Sequence, residues 1–185
     1  MTSLDKNKPC LVETSQGFSV KYKERFLYSK YNPEKNILQI VENISILPGT
    51  LILCFSPLLG YGINNLIQKL PNDCILLGCE IDEELFSITK EFCSKLEETS
   101  SNRFYLLSPS EVKKLPILLE TEAKNYLQKR NDRDLFELLI TFDSCTDDSM
   151  QLIRTVLNVI GEKNIQKCME FTDRQKLPMM ESSRC

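Results

Sequence analysis

Four short apolar runs, each followed by an amphipathic stretch of roughly 10–17 residues, constrain this chain more than any other feature. The runs are Leu51–Phe55, Ile75–Glu80, Phe104–Leu107 and Leu138–Phe142. Leu51-Ile-Leu-Cys-Phe55 has no polar position, as expected of a strand covered on both faces. Between the runs, Ile63, Leu66, Ile67 and Leu70 repeat at helical spacing, as do Leu85, Ile88, Phe92 and Leu96. Strands that alternate with helices form a parallel sheet. The fold class predicted is therefore α/β, a Rossmann-like (methyltransferase-like) parallel sheet with helices on both faces. Right-handed crossovers place the first strand centrally, the second and third to one side of it, and the fourth to the other.

The ends of the chain read differently. Residues 1–9 are polar, and from Leu11 to Tyr31 the apolar positions alternate, with Phe18, Val20 and Tyr22 on one face and a turn at Gln16-Gly17. That pattern predicts a small antiparallel hairpin or meander. Asn32-Pro33 then opens a helix with Ile37, Ile40, Val41 and Ile44 on its apolar side. A further helix is expected with Leu152, Val156, Val159 and Ile160, and beyond Asn164 a weak amphipathic helix. The organisation expected is an arm and hairpin over 1–31, a Rossmann-like domain over 32–163 and a helical tail over 164–185.

Composition excludes several kinds of chemistry. The chain has 185 residues, no histidine and a net charge of −3. Histidine-dependent triads and bases are ruled out, and no basic field would attract nucleic acid. No apolar run approaches the length of a bilayer span, and MTSLDKNKPC has no signal-peptide core. A cytoplasmic protein is expected, with no membrane partner. Eight cysteines are present, none at C-x-x-C spacing, and they read as ordinary reduced thiols rather than a metal site. No catalytic residue and no metal ligand is predicted.

One constellation has the geometry of a ligand site. A strand, a turn, a helix and a second strand ending in Glu80 form the βαβ unit used by dinucleotides and S-adenosylmethionine. Glu80 lies 20 residues beyond Gly60, the interval at which an acid takes ribose hydroxyls. Gly60, Tyr61, Glu80 and Asp82 are the candidate cofactor-binding residues, around a degenerate nucleotide or S-adenosylmethionine crevice. The loop is Ser56-Pro57-Leu58-Leu59-Gly60, where G-x-G-x-G is usual. Only its last glycine remains, and Pro57 lacks an N–H donor. In the alternative reading Gly60 serves a tight turn and close packing, and Glu80 is a cap or a solvated acid. Asp143, Asp147 and Asp148 follow the fourth strand and suit either a water-mediated Mg²⁺ or the N-cap of the next helix, the latter being the commoner use. Tyr22, Tyr28 and Tyr31 suit hairpin packing better than a stacking platform.

Three stretches together carry a family resemblance. Tyr28-Ser-Lys-Tyr-Asn-Pro-Glu-Lys35, Gly60-Tyr61 and Glu80-Ile-Asp-Glu-Glu-Leu85 resemble the S-K-Y-D-P-x-K-E, G-L-G-L-G-Y and I-E-P-D-x-E-L-F stretches of the N-terminal domain of the motility accessory factor glycosyltransferases. The likeness runs from about Gly17 to about residue 170. The family transfers nonulosonic sugars from CMP-activated donors to flagellin serines and threonines, through a central domain with its own glycine-rich loop. The resemblance implies a truncated, split or stand-alone N-terminal domain, non-catalytic by itself, with flagellin or a separate transferase chain as partner. An S-adenosylmethionine-dependent methyltransferase and a protein-interaction module are the alternatives.

Overall fold

The computed structural model describes residues 8–46, 48, 50–100 and 102–117, together with the backbone of 136–141 and 165–170. Two sheets are present. The first is an antiparallel meander of β1 (Cys10–Thr14), β2 (Gly17–Tyr22) and β3 (Arg25–Phe26), in which Leu11 faces Val20 and Lys21 faces Phe26. The first turn falls at Ser15-Gln16, and Gly17 opens β2 with φ 108°. The second turn, Lys23-Glu24, holds both residues at positive φ, 47° and 65°. A two-residue hairpin needs that twist, and glycine or asparagine usually supplies it.

The second sheet contains β4 (Thr50–Phe55), β5 (Ile75–Cys79), β6 (Phe104–Leu107), β7 (Phe136–Thr141) and β8 (Ile165–Glu170). Its order is β6-β5-β4-β7-β8 and every pairing is parallel. The first apolar run is central, as the crossover rule requires. The Rossmann-like α/β class with an N-terminal antiparallel hairpin is thus the fold of this chain. One expectation is corrected. Residues 165–170 form a strand, not the start of a tail helix, because parallel pairing with β7 gives their backbone groups the partners that an open sheet edge would lack. The helix expected around Leu152–Ile160 lies outside the described residues.

Four helices are described: α1 (Lys35–Asn43), α2 (Ile63–Lys69), α3 (Glu83–Thr99) and the short α4 (Pro109–Val112). Regular helix α1 begins three residues after Asn32, yet the Asn32 Oδ1 accepts the Lys35 amide at 3.0 Å and caps its entry. Asp82 caps α3 by accepting the Glu84 and Leu85 amides at 3.0 and 3.2 Å, with Glu83 and Glu84 in the first turn. Ser108 and Glu111 form a capping box on α4.

The register explains the core. Ile52, Leu76 and Phe104 align across β4, β5 and β6 and are buried together with Ile37 and Val41 of α1, Ile63, Leu66 and Ile67 of α2, and Leu85 and Cys93 of α3. Val20, Tyr22, Leu27 and Tyr28 belong to the same cluster, so the N-terminal sheet packs into the main core. Burial of this extent is the main stabilising term for a domain of this size. Gly62, the N-cap of α2 at φ 73°, allows α1 and α2 to approach, since a Cβ there would lie 2.6 Å from Ile37 Cγ2.

Candidate functional site

The loop after β4 is left-handed at alternate positions, only the last of which is glycine. Ser56 has φ 52°, Leu58 φ 44° and Gly60 φ 71°. These alternate positions are those of the three glycines in G-x-G-x-G, and left-handed backbone costs a non-glycine residue roughly 1–2 kcal/mol. Leu58 is fully buried, which offsets that cost. The Ser56 amide donates to Cys79 O at 2.8 Å, and the Gly60 amide to Pro57 O at 2.8 Å. A Cβ on Gly60 would meet Leu96 Cδ1 at 3.1 Å and Cys93 Sγ at 3.4 Å. Gly60 therefore faces α3 in close packing.

Tyrosines of the N-terminal segment occupy the groups that a ligand would use. The Tyr28 hydroxyl donates to Pro57 O at 3.3 Å and accepts the Leu59 amide at 3.4 Å. Its ring packs edge-on to Tyr61, with centroids 5.4 Å apart. The Tyr61 hydroxyl accepts the Phe18 amide and donates to Phe18 O, both at 2.9 Å, and so ties the loop to β2 as a neighbouring strand would. The Tyr22 hydroxyl donates to Asp82 Oδ2 at 2.8 Å, and Lys23 Nζ lies 3.7 Å from the same oxygen. Burial first, then the bond to Asp82, raises the Tyr22 phenol above its ordinary range, and burial does the same for Tyr28.

Glu80 lies at the end of β5, as the 20-residue interval predicts, but it is fully buried. Its Oε1 accepts the Asp82 amide at 3.1 Å, while Oε2 has no partner of regular hydrogen-bond geometry. Burial pushes its pKa up to about 8; the backbone amides of Asp82 and Ile81 and the Ser56 hydroxyl oppose that rise. Glu80 is thus enclosed with its charged form disfavoured by burial, where a ribose-binding acid would be ionised and open.

Each of the four sequence-predicted residues has an internal task, and Glu80 and Asp82 are brought into contact. Gly60 packs on α3, Tyr61 clasps β2, Asp82 caps α3 and holds Tyr22, and Glu80 is enclosed. Tyr22, Tyr28 and Lys23 complete the constellation and were not singled out for it. The signal that could have found the tyrosines is that a buried phenol requires a polar partner, and the hairpin alternation buries Tyr22. Asp143, Asp147 and Asp148 lie outside the described residues. Cys54, Cys74, Cys79 and Cys93 are buried thiols, and burial pushes Cys93 up to about 12. Among the described residues no group of three or more metal-binding side chains is assembled, and no helix is long and apolar enough to cross a membrane. A cleft of about 370 Å³ between the first hairpin turn and α1, lined by Gln16, Asn32, Glu34 and Gln39 among others, lies apart from this crevice.

The site and fold define a Rossmann-like α/β protein with an occupied crevice. No family model matches the chain. A stretch of 98 residues, 53% of the chain, is 33% identical to a Treponema pallidum (strain Nichols) protein described as uncharacterized. The match spans 17% of that relative's length.

Proposed function

We propose that this chain is a non-catalytic, accessory domain of a motility accessory factor-type glycosyltransferase, acting in flagellin glycosylation through contacts with flagellin or with a separate transferase chain. The resemblance of Tyr28–Lys35, Gly60-Tyr61 and Glu80–Leu85 to that family's N-terminal domain supplies the family. The observation that carries the non-catalytic part is the Tyr28 hydroxyl, which takes both the Leu59 N–H and the Pro57 carbonyl of the loop. A phosphate at such a loop needs the backbone N–H bare. The absence of histidine from the chain supports the same reading, since no imidazole base is available for transfer.

Two assays test it together. Purified chain mixed with flagellin and a CMP-linked nonulosonic donor is expected to transfer no sugar. Deleting the chain's coding sequence from its own cell is expected to lower the mass of flagellin by its sugar complement. Flagellin of unchanged mass in the deletion, or turnover by the purified chain, contradicts the proposal.

A second reading, S-adenosylmethionine-dependent methyl transfer, draws support from one observation. The left-handed positions Ser56, Leu58 and Gly60 suit the tight strand-to-helix turn that an S-adenosylmethionine loop makes. Ligand entry would then require Tyr28 to leave.

A further inference from the structure

We propose that β1 is a docking edge for a second copy of this chain, whose own β1 pairs with it antiparallel about a two-fold axis through Val12. The crevice takes no part in this contact.

The meander fixes which way the backbone of β1 points. Along an antiparallel pair, residues that exchange hydrogen bonds alternate with residues whose N–H and C=O face the other way. The Val20 carbonyl accepts the Leu27 amide at 2.8 Å, so the backbone of Val20 faces β3. That of Phe18, two residues earlier, faces the same side and is taken by the Tyr61 hydroxyl. Leu11 and Glu13 lie opposite Val20 and Phe18. Their own N–H and C=O groups therefore point away from β2, to an edge where no strand is paired among the described residues. Elsewhere the fold covers such groups. On β6, at the margin of the parallel sheet, the Phe104 amide donates to Ser100 Oγ at 3.2 Å and the Leu106 amide to Glu97 Oε1 at 2.7 Å. Among the described residues β1 has no such cover, and an uncovered edge is a template for another strand.

The residues of β1 select its own copy and the register. A two-fold axis centred on Leu11 would set Glu13 opposite the partner's Pro9, which has no N–H to give. An axis centred on Glu13 would oppose two carboxylates. An axis through Val12 avoids both faults. Leu11 then lies opposite the partner's Glu13, and Glu13 opposite the partner's Leu11, each pair exchanging two backbone hydrogen bonds. Val12 meets the partner's Val12 as a β-branched pair, and no like charges face each other. Leu11, 40% exposed at this edge, lies diagonal to the partner's Leu11, within reach of a long side chain. At the other margin of the meander, Leu27 and Tyr61 already take the backbone of Val20 and Phe18. Pairing therefore uses up the free edge of each copy and stops at a dimer.

One short strand pair is small beside a stable dimer interface, so the association is weak. Sedimentation velocity of the full chain is expected to show mostly monomer at about 10 μM and mostly dimer at about 1 mM. Reducing buffer keeps the exposed Cys10 from forming a disulfide in its place. Glu13→Pro removes an outward N–H and leaves the bonds to β2 intact, since proline is tolerated where a strand's N–H faces away from its sheet. It is expected to weaken dimerisation at least about tenfold with the urea midpoint unchanged. Glu13→Gln keeps the N–H and should dimerise as the wild type does. Should Glu13→Pro fail to fold, hydrogen exchange of the wild type decides. The Leu11 and Glu13 amides should gain protection several-fold across the same concentration range, while the Val12 amide, bonded to β2, does not change. A chain still monomeric at about 1 mM, a dimer that Glu13→Pro leaves intact, or Leu11 and Glu13 amides indifferent to concentration would overturn the proposal.

Discussion

Glu80→Gln is expected to stabilise the protein, by an amount that grows as the pH rises from 4.5 to 8. In the folded state the Glu80 carboxyl is raised from 4.5 to about 8, first by burial and then by Asp82. A carboxyl raised on folding contributes its full stability below the lower value and loses it as the pH climbs through the higher one. Each unit of pH in that window costs about 1.4 kcal/mol, so the ceiling on the loss is on the order of 5 kcal/mol. Glutamine keeps an oxygen for the Asp82 amide and carries no charge, so its stability should be nearly flat across the window. Urea unfolding at about pH 5 and about pH 8 measures both slopes. A wild-type midpoint equal at the two values, or a variant that destabilises at the higher one, would show that Glu80 ionises without penalty.

The second large effect is expected at Tyr28. Tyr28→Ala removes a ring from the core and both hydroxyl contacts to the loop, and truncation of a buried aromatic costs about 3–5 kcal/mol. Tyr28→Phe keeps the ring against Tyr61 and leaves the Leu59 N–H and Pro57 carbonyl buried without it, a loss of about 1–3 kcal/mol. The gap between the two variants, read from denaturant midpoints, separates packing from the hydroxyl. Equal losses would mean that the hydroxyl contributes nearly all of the effect. A Tyr28→Phe variant as stable as the wild type would mean that water replaces the phenol, so that the loop is open.

Much of the fold was legible because it depends on patterns that local chemistry enforces. The run Leu51–Phe55 has no polar residue and lies at the centre of the sheet, where both faces are covered. Asp82 followed by two glutamates marks the start of α3, since carboxylates satisfy the first amides of a helix. Strand β8 was not legible. Ile165–Glu170 has a mixed pattern, and only the neighbouring edge of β7 makes it a strand.

The site was legible in position and not in state. The interval from Gly60 to Glu80 fixes where the carboxylate lies, because both end consecutive parts of one βαβ unit. What covers it comes from Tyr22 and Tyr28, far upstream in the chain, and no local pattern joins them to Asp82 or Leu59. Nor does residue identity at Ser56 and Leu58 reveal that the backbone there is left-handed. The left-handed turn is held by burial of Leu58 and by the contacts from the meander.

Titration calorimetry of the wild-type chain with S-adenosylmethionine and with cytidine nucleotides asks most directly whether the crevice is closed. A crevice filled by Tyr22 and Tyr28 should give little heat and a dissociation constant no tighter than the millimolar range, about −4 kcal/mol. Micromolar binding by the wild-type chain that disappears in Glu80→Ala would contradict it.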